Sequence, residues 1–141
     1  MEPRSPARTF RQRAALGMAS PRVLIVDDDK TMVAVMSAVL KAGGFQVSAA
    51  FDAAQGFMFA QKDPPDLILL DMNMPAGGGA GTWQRLQHSA RTQNVPVVFV
   101  TAESKPGLEQ EVLRQGAVAF IQKPFDPTTL ADRVRAILER K

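Results

Sequence analysis

The chain of 141 residues is 45% hydrophobic and 22% charged, which suits one globular domain large enough to bury a core. It has no cysteine, which excludes disulfides and thiolate metal sites, and no apolar run long enough to suggest a membrane span. Its net charge of +3 arises in residues 1–20, because residues 21–141 carry thirteen basic and thirteen acidic side chains, so a nucleic-acid-binding body is not indicated.

Residues 1–20 are predicted to be a basic N-terminal extension, and residues 21–141 the folded domain. The extension holds four arginines and one acidic residue. A transit peptide has this composition, and so does a disordered extension or a stretch that precedes a start at Met18. The segment lacks the apolar stretch that a secretory signal needs.

After Pro21 the chain alternates between short apolar runs and helical segments. The apolar runs predict strands at residues 23–26, 45–50, 67–70, 97–100 and 118–121. The other segments predict helices at residues 30–42, 52–62, 82–90 and 106–115 and from about residue 127 onward. Between the third strand and the third helix, residues 76–81 predict a flexible loop, with Thr82 as the cap of the helix.

Five strand–helix units in succession predict an α/β fold, in which a doubly wound parallel sheet has helices on both faces. The length is compatible with a flavodoxin-like strand order, 2-1-3-4-5, or with a mononucleotide-binding half. We predict the flavodoxin-like order. The sequence ends about where the last helix ends, so we expect no effector domain after it.

Polar residues follow the strong strands at their carboxyl ends. Three aspartates, Asp27, Asp28 and Asp29, come after the first strand, Asp71 after the third, Thr101 after the fourth and Lys123 after the fifth. In the order 2-1-3-4-5 the switch point lies between strands 1 and 3, where ligands bind and where Asp27, Asp28 and Asp71 emerge.

A cluster of carboxylates is costly unless something compensates its charge. Oxygen ligands beside a phosphate group suit Mg²⁺, and Lys123 would help an anionic phosphoryl group to enter the acidic pocket. One aspartate after the first strand could instead cap the following helix, but three in a row exceed that need. The sequence therefore predicts a magnesium-assisted phosphoryl site.

These residues resemble the receiver domains of two-component response regulators over about residues 21–140. The marks of the resemblance are the acidic run after Val-Leu-Ile-Val, the segment Leu-Ile-Leu-Leu-Asp71-Met72-Asn73-Met74-Pro75, the segment Val-Phe-Val-Thr101-Ala102, and Lys123-Pro124-Phe125. In place of the Asp-Gly that the family often has after its Met-Pro turn, this chain has Gly78-Gly79. That difference predicts a more mobile segment and a less firmly started helix.

The resemblance implies that Asp71 is the phosphoacceptor. Asp28 and Asp71 would bind Mg²⁺, with Mn²⁺ as an alternative, through their side chains. Asn73 would contribute its backbone carbonyl, and Asp27 would act through a coordinated water.

The resemblance also assigns a switch. Thr101 would donate its hydroxyl to the phosphoryl group, and Lys123 would pair with that group. Phe120 would turn inward when Thr101 moves. The peptide bond between Lys123 and Pro124 would be cis.

The partners implied by the resemblance are a sensor histidine kinase or a histidine phosphotransfer protein, and a downstream protein target. The target would bind the fourth helix, fifth strand and fifth helix, roughly residues 106–140. The chain would act in the cytoplasm as a monomer or a phosphorylation-linked dimer, without direct contact to nucleic acid or membrane. It would not be a conventional enzyme, although it would catalyse its own phosphorylation and dephosphorylation.

Two other functions fit parts of the sequence. A phosphatase of the haloacid dehalogenase type would use Asp27 as its nucleophile, with Asp29, Thr31, Thr101 and Lys123 in its motifs. It would also need a later acidic pair, and it leaves the segment around Asp71 unexplained. A docking module with a receiver fold and no phosphorylation is the other alternative.

Overall fold

A computed structural model describes residues 20–74 and 78–140 of the chain. The predicted N-terminal extension lies outside the described residues except for Ser20, as do Pro75 and the first two residues of the predicted loop, Ala76 and Gly77. In the described part of the chain, no helix has the length and apolar composition needed to cross a bilayer.

The described residues contain five strands in one sheet and five α-helices. The strands are β1 (Arg22–Val26), β2 (Gln46–Ala50), β3 (Leu67–Leu70), β4 (Val97–Thr101) and β5 (Ala119–Gln122). The helices are α1 (Lys30–Ala42), α2 (Ala53–Lys62), α3 (Gly78–Gln87), α4 (Leu108–Arg114) and α5 (Leu130–Leu138), the last preceded by a 3-10 turn at Pro127–Thr129. Adjacent strands are parallel and lie in the order β2-β1-β3-β4-β5, which confirms the predicted flavodoxin-like fold.

The apolar runs form the central strands because both faces of the sheet are covered by helices. One core, which includes Ile25, Leu40 and Leu130, lies between the sheet and helices α1 and α5. The other core, which includes Leu70, Trp83 and Phe99, lies on the opposite face beneath α2, α3 and α4. The Trp83 and Phe99 rings meet edge to face with their centroids 5.0 Å apart.

Local signals set the ends of the first two helices. Asp29 caps α1 by accepting a hydrogen bond from the Met32 N–H at 3.1 Å, and Asp52 caps α2 by accepting from the Gln55 N–H at 2.7 Å. Helix α1 ends at Ala42 with Gly43 as its C-cap, and Gly44 has the left-handed φ of 95° that favours glycine.

The predicted start of the third helix was wrong. The loop was expected to continue to Gly81 with Thr82 as the cap, but α3 already begins at Gly78 and ends at Gln87. Thr82 lies inside the helix, where its buried hydroxyl donates to the Gly78 carbonyl at 3.1 Å. Intrinsic propensity disfavours helical glycine, and tertiary packing overrides it here.

Candidate functional site

The parallel pairing of β1 with β3 brings two aspartates side by side at the carboxyl edge of the sheet. Val26 and Leu70 are the last paired residues of these strands, so the next residues, Asp27 and Asp71, leave neighbouring strands together. The backbone pairing continues one residue past the end of β3, where the Asp71 N–H donates to the Val26 carbonyl at 3.0 Å. The order with β1 next to β3 therefore builds the acidic site.

Asp27, Asp28 and Asp71 form the acidic group that the sequence predicted. Each offers a carboxylate oxygen within 4.8 Å of the others. The Asp27 and Asp71 side chains are buried, whereas Asp28 is exposed at the mouth of the site. Such a set of oxygen donors, partly open to solvent, fits a hard divalent cation such as Mg²⁺, which keeps several waters.

Backbone N–H groups fix the orientation of the two buried carboxylates. The Asp29 N–H donates to Asp27 Oδ1 at 2.9 Å, and the Asn73 N–H donates to Asp71 Oδ1 at 3.0 Å. In both turns the carboxylate of an aspartate accepts from the backbone N–H two residues later in the chain. One oxygen of each carboxylate is thus occupied by the backbone, and the Oδ2 atoms face Lys123.

Lys123 supplies the positive charge of the site. Its Nζ atom lies 2.7 Å from Asp27 Oδ2 and 3.6 Å from Asp71 Oδ2. It follows β5, and its N–H donates to the Thr101 carbonyl at 2.8 Å. The peptide bond between Lys123 and Pro124 is cis, as the resemblance implies.

Burial and charge shift the pKa values of two groups. Desolvation by burial raises the pKa of Asp27, and the Asp71 charge raises it further, which outweighs the hydrogen bonds from Lys123 and Asp29. Burial by itself would lower the pKa of Lys123, but the hydrogen bond to Asp27 and the charges of Asp27 and Asp71 raise it. The lysine therefore stays charged, and the two carboxylates are only partly compensated.

Thr101 and Phe120 lie on β4 and β5, on the side of β3 away from β1. Thr101 is fully buried at the end of β4, and its hydroxyl accepts from the Glu103 N–H at 3.2 Å. Phe120 is half-buried, pairs with Phe99 across the strands and lines a small cavity of about 170 Å³. Among the described residues, no hydrogen bond or ion pair joins Thr101 or Phe120 to the carboxylates. The structure therefore brings together the predicted acidic residues and Lys123, without a direct polar contact to Thr101 or Phe120. The functional roles assigned to all of these residues stay predictions.

Two features of the site escaped the sequence analysis. Gly78 and Gly79 pack directly on the backbone that follows the third strand, since a Cβ on Gly79 would overlap the Asp71 carbonyl oxygen and one on Gly78 would lie 2.5 Å from the Met72 oxygen. Consecutive glycines are a signal of such close approach. At the rim, the Lys30 Nζ lies 5.9 Å from the centre of the exposed Phe51 ring, and no sequence pattern predicts that contact.

Comparison with known proteins places these residues in context. A family model described as the response regulator receiver domain matches residues 23–135. The transcriptional regulatory protein PrrA of Mycobacterium leprae is 38% identical over 125 residues, which make up 89% of this chain and 53% of that protein. Protein PilH of Pseudomonas aeruginosa is 34% identical over 117 residues, which are 83% of this chain and 97% of that protein.

Solved structures agree with the sequence relatives. The chemotaxis response regulator CheY4 of Vibrio cholerae superposes with a TM-score of 0.76 at 30% identity, covering 84% of this chain and 98% of that one. The chain spans about half the length of the first curated relatives it matches, such as PrrA, and nearly all of PilH.

Proposed function

The chain belongs to the response regulator receiver domain family, and on that premise we propose that Asp71 accepts a phosphoryl group in two-component or phosphorelay signalling. The observation that carries the proposal is the group of three carboxylates within 4.8 Å of one another, with Lys123 against two of them. The donor is a phosphohistidine on a sensor histidine kinase or on a histidine phosphotransfer protein.

In the transfer step an Asp71 carboxylate oxygen attacks the phosphorus of the phosphohistidine. A new P–O bond forms and the P–N bond breaks. The imidazole nitrogen leaves with the electron pair and takes up a proton, and Asp71 becomes an acyl phosphate. Water later attacks the phosphorus, which releases inorganic phosphate and restores the carboxylate. This is self-modification without turnover of a separate substrate, so the chain is not a conventional enzyme.

Lys123 and the Asn73 N–H have different roles when an anion binds beside the carboxylates. Lys123 pairs with the incoming phosphoryl oxygens, and the Asn73 N–H keeps the Asp71 carboxylate oriented. Asp28, Asp71 and the Asn73 backbone carbonyl would hold Mg²⁺, with Asp27 acting through a water, and the ion would supply the further positive charge that phosphoryl transfer needs.

The output of the site is a population shift. New contacts of the phosphoryl group with Thr101 and Lys123 favour one arrangement of their loops, and Phe120 follows on β5. The readout surface is residues 106–140, which bind a downstream protein without direct contact to nucleic acid or membrane. The proposal also places the chain in the cytoplasm, as a monomer or as a phosphorylation-linked dimer.

The proposal is tested by incubating the protein with acetyl phosphate and Mg²⁺ and measuring its intact mass. We expect a phosphate-sized mass gain that Asp71→Asn abolishes and EDTA prevents. Asp132→Asn is the matched control, because Asp132 is an exposed carboxylate on α5 and should leave the gain intact.

Two results would contradict the proposal. A mass gain that survives Asp71→Asn and disappears in Asp27→Asn would support the haloacid dehalogenase type of phosphatase. No gain from acetyl phosphate or from a set of purified phosphohistidine donors would support a docking module that has the fold and lacks the chemistry.

A further inference from the structure

Helices α2 and α3 present a face with an unusual charge distribution. Residues 53–62 and 78–95 contain Lys62, Arg85 and Arg91 and not a single Asp or Glu. All thirteen acidic residues of the folded body therefore lie outside these two segments. Asp63, which follows Lys62, is exposed and pairs with Arg22. The two segments themselves carry three cations and no carboxylate, which favours a positive local potential beside them.

The three cations on this face are not neutralised by the protein itself. The Arg85 guanidinium carbon lies 4.1 Å from the centre of the Phe57 ring, and Arg91 donates from Nε to the Gln61 carbonyl at 2.7 Å. Throughout the described part of the chain, neither these arginines nor Lys62 form an ion pair with a carboxylate. Arg91 also donates from Nη2 to the Lys62 carbonyl at 3.4 Å, and no described carboxylate competes with an external anion for the three cations.

An apolar cleft lies among these cations. It has a volume of about 550 Å³, is open to solvent and is lined by Phe57, Met58, Gln61, Lys62 and Arg91. Met58 is 58% exposed, the highest value among the large hydrophobic side chains exposed in the described residues. A flexible thioether beside an aromatic ring can adapt to an apolar side chain of a partner.

We propose that the α2–α3 face binds an acidic amphipathic segment of a partner protein. A large apolar side chain of that segment seats against Phe57 and Met58, and its carboxylates pair with Lys62, Arg85 and Arg91. Charge complementarity identifies the occupant, because the face offers cations and apolar surface together. This face comprises α2, α3 and the segment that follows α3 as far as residue 95, outside the readout surface at residues 106–140, so it is a second contact surface of the domain.

Other occupants fit the same surface less well. A nucleic acid would pair with the three cations and leave the apolar cleft uncovered. A membrane surface attracts clusters of four to eight basic residues, more than this face carries. Two copies of the chain that met symmetrically through this face would bring like charges together.

Selection from a random peptide display library on the immobilised protein tests the proposal. We expect enrichment of peptides that combine Asp or Glu with Leu, Ile, Phe or Trp. The most enriched peptide, labelled with a fluorophore, should bind the Lys62→Glu, Arg85→Glu double variant at least ~10-fold more weakly than the wild type. The control variant Lys30→Glu, Lys41→Glu has the same charge change on α1, across the sheet from α2 and α3, and its Kd should stay within about twofold.

Met58→Ser gives a second readout, because it removes the apolar contact and leaves every charge in place. We expect it to weaken the same peptide while the unfolding midpoint and the acetyl phosphate mass gain stay unchanged. Enrichment of peptides without acidic residues, or equal binding by the two charge variants, would overturn the proposal. So would tighter binding of duplex DNA or of anionic vesicles than of the peptide, or self-association that the Lys62→Glu, Arg85→Glu variant abolishes.

Discussion

Asp27 contributes to the way in which the stability of the metal-free protein changes with pH. Burial and the Asp71 charge raise the pKa of its carboxyl above the unfolded value of 3.8. Between the unfolded and folded pKa values, the native state binds more protons than the unfolded state. The contribution of Asp27 to the free energy of unfolding therefore falls as the pH rises through the interval that begins near 3.8.

Replacement of Asp27 by asparagine should remove this fall, because an amide has no proton to lose. We expect the free energy of unfolding of Asp27→Asn, relative to the wild type, to increase as the pH rises from about 4 to about 7. Urea unfolding in EDTA at a series of pH values measures the difference. A difference that stays constant with pH, or shrinks, would show that the carboxylate of Asp27 is not held in an unfavourable environment.

The residues of the acidic site were predictable because each follows a strand that its own sequence defines. Asp27 and Asp71 come directly after two runs of four apolar residues, and parallel pairing alone brings such positions together. The different contacts of the neighbouring aspartates Asp27 and Asp29 were not predictable. That Asp29 caps α1 while Asp27 pairs with Lys123 depends on which side chains are buried, and sequence spacing does not contain that information.

At the scale of the element, the start of α3 is determined by tertiary packing. Gly79 has no space for a side chain, because a Cβ there would overlap the backbone after β3, whereas a Cβ on Gly81 meets nothing within 4 Å. We expect Gly79→Ala to lower the free energy of unfolding by about 1–3 kcal/mol. Gly81→Ala should raise it by about 0.5–1 kcal/mol, because alanine loses less backbone entropy in a helix.

Urea unfolding of both variants measures these changes, and the acetyl phosphate reaction reports on the site. Gly79→Ala should also slow phosphorylation, since its Cβ must displace the Asp71 backbone, and Gly81→Ala should leave the rate unchanged. Equal and small effects of the two substitutions would mean that α3 does not rest on the backbone at Asp71 and Met72.

The helices with side-chain caps were predicted more accurately than the helix that has glycines at its start. Asp52 marks the start of α2 because its side chain accepts from the backbone, a signal that the sequence displays. The run from Gly77 to Gly81 gives the opposite signal, because glycine costs a helix free energy. Glycine is the favourable residue at positions 78 and 79 only because two backbones approach closely there. That approach is a feature of the tertiary structure, which the local sequence does not display.

On the scale of the whole molecule, the sheet separates two cores that should unfold together. Val134 on α5 is buried in one core and Val112 on α4 in the other. We expect Val134→Ala and Val112→Ala each to cost about 1.5–3 kcal/mol of unfolding free energy, and the double variant to lose their sum within ~0.5 kcal/mol. Urea unfolding followed by fluorescence and by circular dichroism should give one transition. Separate transitions would show that the two faces do not form one cooperative domain.

The proposed binding of Mg²⁺ would couple the acidic site to the stability of the entire domain. An ion that binds the native state and not the unfolded chain adds about 1.4 kcal/mol to the unfolding free energy at a concentration tenfold above its Kd. We expect the thermal midpoint of the wild type to rise with MgCl₂, because the ion relieves the repulsion between Asp27, Asp28 and Asp71.

Asp28→Asn should remove most of this rise, because it takes away the exposed carboxylate of the group and disturbs no buried contact. Asp132→Asn removes an exposed carboxylate from α5 and should respond to MgCl₂ as the wild type does. Scanning calorimetry at constant ionic strength, with NaCl in place of MgCl₂, separates specific binding from screening. An equal rise in the wild type and in Asp28→Asn would locate the cation away from these strand ends, and the phosphoryl chemistry proposed for Asp71 would lose its physical basis.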